Sequence, residues 1–398
     1  MSPFESHGAD FLLPMGFQSA ENSRTKGRCP LRNMLVVAAL LVLGSYGCSS
    51  KTTAPSINPS GAVRTYNGTA SVGDFMTLSI DPVAHTIHYS NMSNGDAGTV
   101  PFTVNADGTY SLADTTGNLL AAYEVPNFVL LVQAARTGPH HDTMALVTAV
   151  KSSPISPTGI ANHSYNYMQF RTASGGMEIG SVNIDGSSMI HNSSYWPFGA
   201  SSGGGGFNNG SPSTEAFQPD SSGTFMRLGS DSEGYDYVFG TPNGIFAVDT
   251  QNGAILGLAK AGSKDFDPNW AGTYKSIYYQ KVGAHSGLGN VESGTPSLGK
   301  GAVVISAAGL VTVTSAEGAV LLTGTLTPVA DTPWLYGPGK LQDPCWGLFV
   351  VRATSGSSRQ DFFISFLQGA VLFSSFRSDV PADPGTSTYD YFYGSALK

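Results

Sequence analysis

Charge is scarce in this chain. Asp, Glu, Lys and Arg make up 12% of its 398 residues, about half the usual quarter. The formal net charge is -8 and no basic stripe is present. Nucleic acid, which demands clustered Lys and Arg against its phosphates, is therefore excluded as a partner. Cysteine is scarcer still, with Cys29, Cys48 and Cys345. Only Cys345 lies in the body of the chain, so no intramolecular disulfide framework holds the fold and stability must come from a buried core. Helical periodicity is absent as well, which disfavours a helical cytosolic enzyme.

What the chain has instead is glycine, 49 residues of it, together with 17 Tyr and 21 Phe, in a composition that is 41% hydrophobic. That is enough apolar material for a sizeable core and enough turn-formers for many short strands. The length allows two or three domains. Low charge with abundant Gly, Thr and Tyr fits a β-rich extracytoplasmic protein.

Arg24, Lys26, Arg28 and Arg32 precede the apolar run "MLVVAALLVLG" (Met34–Gly44). Its 11 residues fall short of the roughly 20 that span a bilayer. A cationic segment followed by a short apolar one describes an export signal. The run ends in "SYGCSS", where Gly47 and Cys48 resemble the lipobox of bacterial lipoproteins, although Ser45 stands where Leu is usual. The resemblance implies that Cys48 becomes lipidated and N-terminal, so that the membrane is a partner through that lipid. Ser49 resembles outer-membrane sorting. On this reading residues 1–47 are the export signal and 48–60 a flexible tether. Met15 is an alternative start.

The remainder repeats. "YEVPNFVLLVQA" (Tyr123–Ala134) and "FGTPNGIFAVDT" (Phe239–Thr250) align on Pro126-Asn127 and Pro242-Asn243, and "FLQGAVLFSSF" (Phe366–Phe376) is a fainter third copy. Upstream of them stand Gly108, Gly223 and Gly347. Downstream the copies end at Lys151, Lys260 and Lys398. Earlier hairpins agree too: "SIDPVAHTIHYSN" from Ser79, "NIDGSSMIHNS" from Asn183 and "VISAAGLVTVTS" from Val304. The opening strands contain Tyr66, Tyr165 and Tyr274. The expected fold is all-β, with three tandem antiparallel units of about eight short strands over 61–151, 158–260 and 268–398. The second unit carries a Gly/Ser-rich loop at 199–213. Small barrels or sandwiches suit this pattern, because closure removes exposed edges. One six-bladed β-propeller, with two blades per unit, is the alternative. A membrane-spanning barrel fits less well, since the strands are short for it.

Chemistry-bearing patterns are few. "GASSG" (Gly199–Gly203) has the form of a nucleophile elbow but sits in a low-complexity loop. His140, His141 and Asp142 are adjacent, and neighbours on a strand face opposite ways, so joint chelation of a metal is not expected. His85 and His88 are likewise expected on opposite faces. Asp231, Glu233 and Asp236 do not reproduce a calcium loop and read as a turn. Cys345 reads as a structural cysteine. Tyr389, Tyr391 and Tyr393 read as cross-strand packing. Trp196, Trp270, Trp334 and Trp346 are the speculative ligand-binding residues. "FDPNWAGTY" (Phe266–Tyr274) resembles, over a few residues in the wrong order, the opening strand of lipocalin-like barrels, and no site is carried over from it. No catalytic residue, metal ligand or cofactor is assigned. Two functional readings remain: a lipid-anchored outer-membrane, non-enzymatic module that binds an unknown protein, glycan or small molecule, or a propeller-type hydrolase or lyase with a central-channel site. Functional residues are expected where the copies differ, in the loops at 136–143, 199–222 and 328–345.

Overall fold

The computed structural model describes residues 61–398 except 114–118, 137–142, 157–159, 161–163, 172–175, 186, 196–206, 209–212, 231–233, 252, 288–289, 292–293, 333–344, 356–357 and 380–387. The expected signal, tether and Cys48 lie outside the described residues.

The first unit contains β1 (Arg64–Ala70), β2 (Asp74–Asp81), β3 (Thr86–Asn91), β4 (Ala97–Val104), β5 (Tyr110–Ala113), β6 (Leu119–Val125), β7 (Val129–Arg136) and β8 (Thr143–Lys151). Each pairs antiparallel with the next, and β8 returns to β1 with Tyr66 opposite Lys151, which closes the barrel. The second contains β9 (Ser164–Arg171), β10 (Gly176–Ile184), β11 (Ser188–Tyr195), β12 (Phe207–Asn208), β13 (Ser213–Pro219), β14 (Met226–Ser230), β15 (Gly234–Thr241), β16 (Ile245–Thr250) and β17 (Gly253–Ala259). Here β17 pairs with β9 and β10 with β11, so eight strands form a ring and β12 is a short addition to β11.

The third contains β18 (Gly272–Gly287), β19 (Asn290–Val291), β20 (Thr295–Ile305), β21 (Leu310–Ser315), β22 (Val320–Thr325), β23 (Thr327–Pro328), β24 (Leu348–Ser355), β25 (Ser358–Leu367), β26 (Ala370–Asp379) and β27 (Thr388–Leu397). Strand β27 closes onto β18. Only Leu326 separates β22, which pairs with β21, from β23, which pairs with β24. One bent strand thus passes from one neighbour to the other and brings the curled sheet round on itself. The chain is three barrel-like units of about eight antiparallel strands. The six-bladed propeller is not formed: the strands close into barrels through β1/β8, β9/β17 and β18/β27 pairings instead of standing as separate four-stranded blades.

Local chemistry explains the repeats. Ile80-Asp81 and Ile184-Asp185 end strands, and each carboxylate accepts backbone amides of the following turn, from Val83 and Ala84 and from Ser187 and Ser188. These are Asx turns. Gly108, Gly223 and Gly347 all have φ between 67° and 87°, the left-handed region that favours glycine. The amides of Lys151, Ala259 and Lys398 donate to the carbonyls of Phe128, Gly244 and Gly369, the last turn residues of the three aligned hairpins. These bonds fix the equivalence of the copies and place the partner of Lys151 at Ala259, one residue before Lys260.

The alternation along those hairpins divides two cores. Leu130 and Val132, Phe246 and Val248, and Val371 and Phe373 point into their own barrels. Val129 and Leu131, Ile245 and Ala247, and Ala370 and Leu372 point out of them, into one apolar cluster built from all three barrels. The barrels are therefore not beads in a row; their outer faces share a core. Tyr391 and Tyr393 belong to it, and Tyr393 stacks on Phe170 of the second barrel at 4.3 Å. Cys345 is buried in the same cluster.

Candidate ligand-binding site

The barrels differ in how their interiors are filled. In barrel 1 the inward positions of β1 are Tyr66, Gly68 and Ala70. The matching positions in β9 are Tyr165, Tyr167 and Gln169, and in β18 Tyr274, Ser276 and Tyr278. Barrel 1 also has Ala134 and Ala145 facing inward on β7 and β8. Small side chains on several strands at one end leave space that the other barrels fill with rings. The result is a cavity of about 370 Å³ in barrel 1, lined by Ala70, Met76, Leu78, Leu112, Val132 and Val147 among others. Its lining runs from buried Leu78 and Leu112 to exposed Asp96, so it reaches the surface.

The far end is sealed by a polar plug. Arg64 donates through Nε and Nη2 to the two oxygens of Glu124 at 2.6 and 2.7 Å. Tyr66 and Tyr110 donate their hydroxyls to the same carboxylate at 2.5 and 2.7 Å. Arg64 and Glu124 are both buried. A buried carboxylate with four donors, two of them cationic, offsets its desolvation. Burial, then the charge and hydrogen bond of Glu124, push both tyrosine hydroxyls well above the ordinary phenol value. They stay protonated donors. The Glu124 hydrogen bond holds the Arg64 guanidinium charged.

The open end is acidic and polar. Asp74 on β2 and Asn91 on β3 face inward there and are almost completely buried, and Tyr89 and Asp96 complete the described rim. The Tyr89 hydroxyl donates to Asp96 at 3.4 Å, and the Asn91 carbonyl accepts the Ser93 amide at 3.0 Å. The Tyr89 ring lies over Gly98 on the paired strand, where a Cβ would stand 2.8 Å from its hydroxyl. Residues 114–118, after β5, and 137–142, after β7, lie outside the described residues, and with them His140, His141 and Asp142.

Of the four tryptophans, Trp196 and Trp334 lie outside the described residues. Trp270 closes a short 3-10 turn (Pro268–Trp270) capped by Asp267. Its ring stacks on Phe366 at 5.0 Å and meets Phe266 and Phe349 edge-on, as a plug for the interior of barrel 3. Trp346 is 40% exposed, and its carbonyl accepts from Asn166 of barrel 2. These two tryptophans occupy different settings. The Gly199–Gly203 pattern, Asp231 and Glu233 fall outside the described residues, and Asp236 lies within β15. The exposed His88 ring bonds Thr99 at 2.7 Å, whereas His85 stacks on Phe102. Among the described residues no group of three His, Cys, Asp or Glu is placed to hold a metal ion, and no helix is long and apolar enough to cross a membrane.

A second cavity of about 380 Å³ lies at the β22/β24 seam, between Thr323, Thr325, Thr327, Asp331 and Arg352. It is a polar cleft, and Arg352 is held bidentately by buried Asp361 at 2.6 and 2.7 Å. Neither the barrel 1 cavity nor Glu124 as its plug was directly legible in the residues. The available signals were the small inward residues Gly68, Ala70, Ala134 and Ala145, and one glutamate in the apolar strand "LLAAYEV".

No family model matches the chain, and no curated protein matches it. Similar solved structures include a tryptophan-to-alanine variant of the vaccine antigen Transferrin Binding Protein B from Haemophilus parasuis Hp5. It is 9% identical, over 85% of this chain and 77% of that one, with a TM-score of 0.23. A double variant of the same antigen is 8% identical over the same shares, with a TM-score of 0.18. Likenesses this distant carry nothing about ligand or partner.

Proposed function

We propose that this chain is a lipid-anchored envelope protein whose first barrel binds a small apolar ligand, without catalysis. The observation that carries the reading is the cavity of barrel 1, apolar along its walls, sealed at one end by the Glu124 plug and open at the other. An eight-stranded barrel is wide enough to hold one small ligand when its side chains do not fill it, and barrel mouths are preferred ligand sites. The interiors of barrels 2 and 3, filled by Tyr167, Phe246, Tyr278 and Phe373, serve as scaffold.

The test is titration with N-phenyl-1-naphthylamine, an apolar dye that fluoresces on leaving water. The expected result is saturable binding that Ala145→Phe abolishes while the far-UV spectrum is unchanged. Equal binding by that variant would place the dye elsewhere and overturn the assignment.

The anchor rests on Cys48 and its preceding apolar run. Mass spectrometry of the mature N-terminus is expected to show acylated Cys48 directed to the outer membrane. An unmodified N-terminus at another residue would remove the anchor and leave the ligand reading standing.

A further inference from the structure

The closed end of the barrel 1 cavity has an aliphatic floor, with the polar plug beneath it. Leu78 stands opposite Tyr66 on the paired strand, and Leu112 is the next inward residue above Tyr110 on β5. Both leucines line the cavity, whereas Tyr66, Phe102 and Tyr110 do not. The rings of Phe102 and Tyr110 stack at 4.5 Å below them. Leu78 reaches over Gly68. A Cβ on that glycine would stand 2.8 Å from a Leu78 methyl carbon, 3.0 Å from the Ala149 Cβ and 3.4 Å from a Val147 methyl carbon. At the matching positions barrel 2 carries Tyr167 and barrel 3 carries Ser276. The missing side chain at position 68 thus lets Leu78 fold inward and close the cavity from below.

The shaft above this floor is narrow. Its lining on β2 runs from Leu78 to Asp74, about 13 Å of strand and about 10 Å along the axis of a barrel whose strands tilt by about 40°. Spread over that depth, 370 Å³ gives a cross-section of about 37 Å², or about 7 Å across. Carbon atoms in contact lie about 4 Å apart, so one hydrocarbon chain fits and two side by side, at about 8 Å, do not. The floor offers nothing to a polar group, because the Glu124 carboxylate below it is already held by Arg64, Tyr66 and Tyr110. An unpaired polar group buried there would be costly. Resting on the ligand-binding reading above, we infer that the ligand of barrel 1 is a compound with a single straight hydrocarbon chain, which enters tail-first and ends on Leu78. Leu78 is then the residue that sets how long a chain the barrel holds. An extended chain advances about 1.3 Å per carbon and spans the shaft with about eight carbons. A cavity of about 150 Å³ takes the six carbons of benzene, so 370 Å³ has room for about fifteen when the chain bends.

The experiment measures straight-chain 1-alkanols, from hexanol to hexadecanol, by their displacement of the naphthylamine dye from the whole protein. Affinity is expected to rise about fourfold with each added methylene while the chain is still being buried. The gain should stop at a length between about eight and about fifteen carbons. Leu78→Ala shortens the floor and should move that break to chains about two or three carbons longer, so that the longest alkanols bind about tenfold tighter than they do to the wild type. Leu78→Val is the milder change, with an expected move of about one carbon, and decides the question if the alanine variant is unfolded by its far-UV spectrum. 1,12-Dodecanediol must bury a hydroxyl against the floor and should bind about tenfold more weakly than 1-dodecanol. A break at the same length in the wild type and the folded variants would overturn the inference. So would affinity that climbs unbroken to hexadecanol, or a diol that binds as tightly as the alkanol. Dye binding that no alkanol displaces would also overturn it while leaving the cavity reading intact. Failure of the dye itself to bind would remove both.

Discussion

Asn166 of the second barrel donates its side-chain amide to the backbone carbonyl of Trp346 in the third, at 2.7 Å. Asn67 of the first barrel makes the matching bond to Thr224 in the second, also at 2.7 Å. Both asparagines follow the inward tyrosine of an opening strand. Both acceptors sit beside the left-handed glycines Gly347 and Gly223. The third member of the set is Lys275, which follows Tyr274. It lies over the ring of Tyr123 at 5.0 Å, and a Cβ at Gly108 would stand 3.5 Å from its ammonium. Barrel 1 thus grips barrel 2, barrel 2 grips barrel 3, and barrel 3 grips barrel 1. The ring closes, as a repeated head-to-tail interface does when its rotation returns to the start. Repetition in the sequence is the mark of this ring.

Removing one grip should weaken the whole ring. Asn166→Ala removes one of the two donors to the Trp346 carbonyl, which keeps the Ala261 amide at 3.1 Å, and is expected to cost about 1 kcal/mol. Urea unfolding followed by circular dichroism checks the size. A variant with wild-type stability would show that the bond is incidental.

The shared core predicts cooperativity. Leu131 and Leu372 occupy equivalent outward positions in barrels 1 and 3 and meet in one cluster. Leu131→Ala should cost about 2–5 kcal/mol and lower a single calorimetric transition of residues 61–398. A split into separate transitions, with only one displaced, would mean that the barrels fold independently.

The contact between barrels 1 and 2 carries a pH signature. The Thr69 hydroxyl donates to buried Asp249 at 2.5 Å. Burial raises the Asp249 carboxyl well above its ordinary value; the Thr69 bond opposes this and the Asp236 charge adds to it. Asp236 itself is pushed up to about 6, by burial first and then by Glu215. The folded state therefore binds these protons more tightly than the unfolded chain does. The contribution is complete below the unfolded value near 4 and is lost as pH rises through the folded values, about 6 for Asp236. Asp249→Asn should keep the Thr69 bond, raise stability at pH 7.5 by about 1 kcal/mol, and flatten the pH dependence between 4 and 7. Stability curves with pH for both proteins provide the check, and an unchanged slope would contradict it.

The plug of barrel 1 should be intolerant of half-removal. Glu124→Ala strands a buried guanidinium and two phenols, with an expected cost of about 3–5 kcal/mol. The double change Arg64→Met, Glu124→Leu removes both charges and should recover most of it. Thermal melts of both variants distinguish a charge effect from simple loss of packing, for which the double variant would be no better.

Much of the architecture was readable from the residues. The Pro126-Asn127 and Pro242-Asn243 turns, the Ile-Asp turns and the recurring Gly108, Gly223 and Gly347 are local signals, since each encodes a backbone conformation within a few residues. Period-two alternation identified the two faces of each hairpin. It could not say that Leu131, Ala247 and Leu372 share one core, because that depends on contacts more than a hundred residues apart. Tyr391 and Tyr393 illustrate the same limit: their shared strand face was legible, the packing of Tyr393 against Phe170 was not. The cavity was hidden for a related reason. Gly68, Ala70, Ala134 and Ala145 look unremarkable one at a time, and become a void only when closure of the barrel brings β1, β7 and β8 together.

The most direct measurement of the central claim is a crystal structure of the protein under xenon pressure. Xenon enters dry apolar cavities. A strong xenon peak inside barrel 1, between Leu78, Leu112, Val132 and Val147, with none inside barrels 2 and 3, is the predicted result. A barrel 1 interior closed by its own side chains, or filled by ordered water without xenon, would contradict it.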